Sequence, residues 1–131
     1  MKKIRGYIFS RPFLGERVPQ HIQNLVLREY CNRKSLNLLL SLVEYRFENS
    51  TIILEKALNE LNKIDGIIFY SLLQLPDNDK KRQILYDKVL KKKREIHFAV
   101  EEIKLTNLDS INSVENIFLI KKTLPKCLKK L

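Results

Sequence analysis

IRGYIFSRPFLGERVPQHIQNLVLREYC, running from Ile4 to Cys31, decides the fold. It opens as a short apolar strand, Lys3 to Phe9, reaches Ser10 and Arg11, and crosses a loop, Arg11 to Val18. Pro19 then stands where a helix can begin, since its fixed φ suits the first turn and its missing N–H costs nothing there. Ile22, Leu25, Val26 and Tyr30 fall at helical spacing and predict the buried face of that helix. A strand that passes through a loop into a helix is the opening unit of an α/β fold. It places a hydroxyl and a fixed positive charge at the carboxyl end of a strand, where open α/β sheets bind their ligands.

The remainder of the chain repeats the unit. Leu36 to Leu42 is a leucine-rich run, broken by Asn37 and Ser41, whose length predicts a second strand, buried on both faces. Asn49-Ser50-Thr51 offers capping side chains to a helix whose stripe is Leu54, Ala57, Leu58 and Leu61. Asp65-Gly66 turns the chain into Ile67-Ile68-Phe69-Tyr70, a third strand expected at the centre of the sheet. A helix from about Asn78 to Lys92 follows, with Ile84, Leu85 and Val89 inward and its lysines outward. Glu95 to Val100 reads as a fourth strand. From Glu101 the chain starts as a further extended piece, then shows Val114, Ile117, Phe118 and Leu124 at helical spacing before Pro125. The expectation is one α/β domain over residues 1–131, with a mostly parallel central sheet of four to five strands flanked by helices and a C-terminal helix.

With 131 residues, 44% hydrophobic and 31% charged, the chain can bury a core without disulfides. No apolar run approaches the length of about 20 residues that spans a bilayer, and no secretory signal is legible, so a cytoplasmic protein without membrane insertion is expected. Cys31 and Cys127 lack a CxxC spacing and, with His21 and His97, form no metal-ligand pattern; free thiols are expected, with no metal and no cofactor. The net charge of +10 arises from 25 Lys and Arg against 15 Asp and Glu. Its excess lies in Lys80-Lys81-Arg82, Lys91-Lys92-Lys93-Arg94 and the group Lys121, Lys122, Lys126, Lys129 and Lys130. Such runs are either solvated faces or the footprint of an anionic partner, nucleic acid included.

Two nested resemblances rest on these residues. Gly6-Tyr7, Gln20 with Leu27-Arg28-Glu29-Tyr30-Cys31, Asp65 to Tyr70, and Ile96 to Glu102 resemble, in order and spacing, the N-terminal catalytic domain of serine recombinases, the resolvase and invertase family. That resemblance implies a resolvase-like fold, with an oligomer made through the stripe Val114, Ile117 and Phe118 of the C-terminal helix. The catalytic pattern departs from the family. Recombinases place an arginine, one spacer and then the nucleophilic serine after Gly-Tyr, whereas here serine comes one place early and arginine follows it. A one-residue slip turns a strand side chain to the other face, so Ser10 takes the nucleophile's place only where a bulge or the strand end re-aims it. Leu72-Leu73-Gln74-Leu75-Pro76-Asp77 lacks the two arginines that neutralise the scissile phosphate in that family. Strand exchange is therefore not expected, nor is a helix-turn-helix domain.

The narrower resemblance is to the sporadic carbohydrate cluster proteins of bacterial surface-polysaccharide gene clusters. It is carried by GYIFSRPFLGERVPQHIQNLVLREYC, Glu44-Tyr45 through Ser50, DGIIFYSLLQLP and IHFAVE. It implies a role in surface-glycan biosynthesis.

The strand ends are expected to gather Ser10, Arg11, Tyr70, Ser71, Gln74, Glu101 and Glu102 on one rim, with Arg17 and Gln20 at the mouth of the first helix. Two arginines beside a helix N-terminus suit the phosphate of a sugar phosphate or nucleotide sugar. Equally, Arg11 and Arg17 pair with Glu16, Glu44 or Glu48 to fix the loop. Ser10 and Glu101 are the catalytic candidates, yet no base is evident for Ser10. His97 is expected to be buried and hydrogen-bonded. Three roles stay open: a carbohydrate-pathway protein binding an anionic metabolite, a nucleic-acid-binding module derived from a recombinase, and a homo-oligomeric scaffold for a glycan-pathway enzyme.

Overall fold

The computed structural model describes residues 1–10, 18–44 and 50–129, with residues 122 and 124–129 described by their backbone alone. In chain order the elements are β1 (Lys3–Phe9), α1 (Gln20–Arg33), β2 (Asn37–Glu44), α2 (Ile52–Asn59), β3 (Gly66–Phe69), a 3-10 turn (Leu72–Gln74), α3 (Asp79–Lys91), β4 (Glu95–Phe98), β5 (Ile103–Leu105) and α4 (Leu108–Lys129). The sheet runs β2-β1-β3-β4-β5. Its first four strands are parallel and β5 is antiparallel to β4. The expected architecture is thus the observed one, with β3 central and the extended piece after Glu101 forming β5.

Strand side chains alternate between two faces, and the alternation sorts the core into two layers. Ile4, Ile8, Ile68 and Ala99 meet Leu27, Tyr30 and Cys31 of α1, which covers its face alone. Tyr7, Phe9, Ile67, Phe69, Ile96 and Phe98 turn the other way, onto Leu54, Ala57 and Leu58 of α2, Leu85, Tyr86 and Val89 of α3, and Ile111, Val114 and Phe118 of α4. Every carboxyl end of β1 to β4 opens on one rim.

Several local expectations differ from the fold. Helix α1 buries Gln23, Leu27, Tyr30 and Cys31, while Ile22 and Leu25 are 37% and 59% exposed. The Gln23 amide makes four hydrogen bonds at the end of β1 and beside it. At about 1 kcal/mol net each they outweigh the roughly 1.5–3 kcal/mol gained by burying Leu25, so the glutamine sets the phase of the helix. In α3, Arg82 and Tyr86 join Leu85 and Val89 inside, and Ile84 is 51% exposed. Strand β2 is not buried on both faces: it lies at the sheet edge, with Leu40 86% exposed. The Thr51 side chain does not cap α2, and Asn49 lies outside the described residues; the Glu44 carboxylate, arriving from the end of β2, accepts from Ile53 N and Leu54 N. Strand β4 ends at Phe98, and α4 continues past Pro125. The Leu124 side chain lies outside the described residues.

Gly66 stands inside β3 rather than in a turn. A Cβ there would lie 2.3 Å from the Glu95 carbonyl oxygen, so the glycine lets β3 and β4 approach. Gly6 serves β1 and β2 alike: its missing side chain makes room for Ser41 where β2 carries one extra residue, between the pairs Arg5↔Leu39 and Tyr7↔Leu42.

Candidate functional site

Strand β1 ends at Phe9, and Ser10 is the bend that follows. Its hydroxyl points toward the neighbouring edge strand and donates to the Glu44 carbonyl oxygen at 2.7 Å. The register irregularity in β2 lies upstream and does not re-aim Ser10. Glu44 itself is fully buried. Tyr7 donates its hydroxyl to Glu44 Oε1 at 2.7 Å, Ser50 donates to Oε2 at 3.1 Å, and the amides of Ile53 and Leu54 in the first turn of α2 donate as well. The helix dipole favours an anion at that position.

On the other side of Ser10 the rim is tied by two interlocked amides. Gln23 Oε1 accepts from Phe9 N at 3.0 Å, and its Nε2 donates to Phe9 O and Val18 O, both at 2.9 Å. Gln74 Nε2 donates to the same Gln23 Oε1 at 2.9 Å, while Gln74 Oε1 accepts from Tyr70 N and Ser71 N. Ser71 and Gln74 form a reciprocal capping box on the 3-10 turn. Ser71 Oγ then donates to Glu101 Oε2 at 2.7 Å, Leu72 N donates to Glu101 Oε1 at 2.9 Å, and Lys121 Nζ reaches Glu101 Oε2 at 2.9 Å from α4.

The structure thus brings Ser10, Tyr70, Ser71, Gln74 and Glu101 to one rim and links them through Gln23. Among the described residues no buried side-chain nitrogen or oxygen lacks a hydrogen-bond partner. Gln20 is exposed at the start of α1. Glu102 does not join the rim: its backbone takes a left-handed turn at φ 55° and its carboxylate accepts from Arg33 at 2.6 Å, beside the carboxyl end of α1. Arg11, Arg17, Glu16 and Glu48 lie outside the described residues, so both the arginine seat and its ion-pair alternative fall there.

Three members of the network are not among the sequence candidates: Gln23, Lys121 and the carboxylate of Glu44 as a helix cap. A signal exists for Gln23. It stands at i, with Leu27, Tyr30 and Cys31 at i+4, i+7 and i+8, a polar residue in phase with a buried stripe. Glu44 closes an apolar strand and precedes a helix start, a pattern open equally to an exposed carboxylate.

A second polar cluster lies toward the amino end of β4, under α1. His97 is 3% exposed. Its Nε2 lies 2.9 Å from Glu95 Oε1 and its Nδ1 lies 2.8 Å from the Tyr30 hydroxyl. Because a carboxylate only accepts, Nε2 carries the proton and Nδ1 accepts from Tyr30. Burial holds His97 below its ordinary range, and the neighbouring Glu95 opposes that shift in part. Burial also pushes the Glu95 carboxyl upward, but His97 and Lys2 outweigh it, leaving Glu95 lowered. Cys31, a free thiol on the buried face of α1, is pushed up to about 11 by burial.

No protein-family model matches the chain, and no curated protein does. Among solved structures, the N-terminal catalytic domain of TP901-1 integrase superposes with a TM-score of 0.66 at 16% identity, covering 94% of this chain and 98% of that one. A resolvase family site-specific recombinase from Streptococcus pneumoniae gives 0.58 at 9% identity, with 97% of each chain covered. The fold is that of a resolvase catalytic domain. At these identities the likeness is one of fold alone. On that resolvase-like frame, the segment after β3 is closed by Gln74 and the Ser71 cap and contains no arginine from Ser71 to Asp77. No helix of the described residues is long and apolar enough to cross a membrane. Among the same residues no cluster of His, Cys, Asp or Glu could hold a metal ion.

Proposed function

We propose that this resolvase-like domain binds an anionic metabolite, a sugar phosphate or nucleotide sugar, at the carboxyl rim of its sheet, and that it serves bacterial surface-carbohydrate biosynthesis without strand-exchange chemistry. The observation that carries the reading is the commitment of the rim. The Ser10 proton is held by a backbone carbonyl at 2.7 Å, and Gln23, Gln74, Ser71 and Glu101 are spent on one another and on the loop backbones. Such a floor is rigid, which suits recognition, and it lacks the activated hydroxyl that a phosphoryl-transfer nucleophile requires. Arg11 follows Ser10 directly in the chain, and Arg17 precedes Gln20, the first residue of α1, by three positions. The carbohydrate setting rests on the sequence resemblance alone.

The test is a thermal-shift screen of the purified protein against sugar phosphates, nucleotide sugars and short DNA duplexes at low and moderate salt. A salt-tolerant shift with one carbohydrate class, lost in Arg11→Ala while the ligand-free melting temperature is kept, supports the reading. A salt-sensitive shift on DNA with no metabolite response overturns it in favour of a nucleic-acid module. The exposed lysines 80, 81, 88 and 91 on α3 favour that second reading. The stripe Val114, Ile117 and Phe118 of α4, on which an oligomer was expected, packs into the protein's own core, so a scaffold role draws instead on the exposed Leu119 and Ile120; light scattering that returns a monomer at micromolar concentration removes it.

A further inference from the structure

Helices α2 and α3 lie side by side over the same face of the sheet, and they do not close completely. Between them opens a cleft of about 240 Å³, lined by Leu54 and Leu58 from α2, Ile84 and Leu85 from α3, and flanked by Lys81 and Lys88. Three of its properties point to a ligand. Its floor is apolar, and Ile84 remains 51% exposed on a helix whose phase could have hidden it. Its volume exceeds the roughly 150 Å³ of an apolar cavity large enough to take up a benzene ring. Its charged wall is asymmetric: Lys81 and Lys88 stand seven residues apart, one on each side of Ile84, while the lining of α2 carries one carboxylate, Glu55. Lys81 Nζ lies 3.4 Å from Thr51 Oγ1, so one ammonium is already drawn over the mouth of the cleft.

We infer that the cleft between α2 and α3 is a binding site for a small amphipathic anion, with an apolar body on Leu54, Leu58, Ile84 and Leu85 and a carboxylate, sulfonate or phosphate head held by Lys81 and Lys88. The apolar body supplies the affinity by leaving water, and the lysines choose the sign of the head group. The site is separate from the rim: none of the residues that line it belongs to the network of Gln23, Gln74, Ser71 and Glu101.

The probe is 1-anilinonaphthalene-8-sulfonate, titrated into the folded protein and displaced with octanoate or with octanol. The expected result is one saturable site per chain that octanoate clears at least about tenfold more effectively than octanol. Ile84→Glu should abolish the signal. The double change Lys81→Gln with Lys88→Gln should weaken octanoate about tenfold, the factor expected for two exposed charge contacts. Lys34→Gln, on the α1 side of the sheet, should leave it unchanged. All four altered residues are solvent-accessible, and near-ultraviolet circular dichroism checks that each variant keeps its packing. No saturable dye binding by the unaltered protein, or dye binding that survives Ile84→Glu, overturns the site. Equal displacement by octanol and octanoate overturns the anionic head.

Discussion

Gln74→Glu exchanges one NH2 for an oxygen of nearly the same size, so it tests the hydrogen bonds of the rim without touching its packing. Gln74 is 1% exposed, and its amide must donate to Gln23 Oε1 while its oxygen accepts from Tyr70 N and Ser71 N. Once ionised, the introduced carboxylate would face the Gln23 oxygen across the 2.9 Å that the amide hydrogen bond now spans, acceptor against acceptor. Gln23 cannot rotate to relieve this, because its oxygen also receives Phe9 N and its amide holds Phe9 O and Val18 O. Protonation of the introduced carboxyl restores the donor, so the fold raises its pKa above the unfolded value of about 4.3. A group raised in the fold is harmless below its unfolded pKa and costs stability as pH rises above it, at about 1.4 kcal/mol per pH unit. At pH 7 that amounts to about 3–4 kcal/mol, close to half of a typical domain's stability. The assay is urea denaturation of both proteins at matched pH, read as the difference between them. The variant should be near parity at pH 4.5 and about 3 kcal/mol weaker at pH 7. A difference below about 0.5 kcal/mol at both values, or one that does not change with pH, would refute the interlocked-amide account.

Glu44→Ala strips the cap from α2 and leaves the buried Tyr7 hydroxyl without its carboxylate acceptor, so a loss of about 3 kcal/mol is expected; a double-mutant cycle with Tyr7→Phe should return positive coupling. Arg82 is buried between α3 and α4, donating to Glu115, to Asp79 and to the Pro76 and Asp77 carbonyls, with its guanidinium 4.2 Å above the Phe118 ring. Arg82→Met should cost about 2–3 kcal/mol and raise hydrogen exchange in α4 before the rest of the fold. His97 is held neutral by burial, its folded pKa below the unfolded value. The unfolded chain therefore takes up the proton first, and stability should fall as pH drops through about 6.5 toward 5. His97→Gln should flatten that part of the urea-midpoint profile.

The α/β repeat and the central place of β3 were legible because apolar runs and helical stripes alternate with little ambiguity, and β1, α2 and α3 begin within a residue or so of where their patterns place them. What escaped was decided by polar groups acting at a distance. The phase of α1 follows from Gln23, whose partners at Phe9 and Gln74 are separated from it by 14 and 51 residues. The cap of α2 comes from Glu44 rather than from the threonine beside it. A leucine-rich run such as Leu36 to Leu42 looks alike in a central strand and at an edge, because pairing partners leave no local mark. Of the rim, Ser10, Ser71, Gln74 and Glu101 were placed by topology, but that their polar atoms are spent on the fold itself could be seen only once their partners were in place.

The position of β1 carries a consequence for synthesis on the ribosome. It emerges before the strands that flank it, yet in the sheet it lies between β2 and β3, and its contact with the start of β3 closes a separation of 62 residues. At translation rates of about 5–20 residues per second, one side of KIRGYIF waits roughly 3–12 s for its neighbour. During that interval Arg5 is the charge in the middle of the strand, and a charge there discourages pairing with a strand of another chain. In the finished fold the same guanidinium spans the Leu40 carbonyl and Glu60, so the residue that guards the nascent strand later fastens its edge.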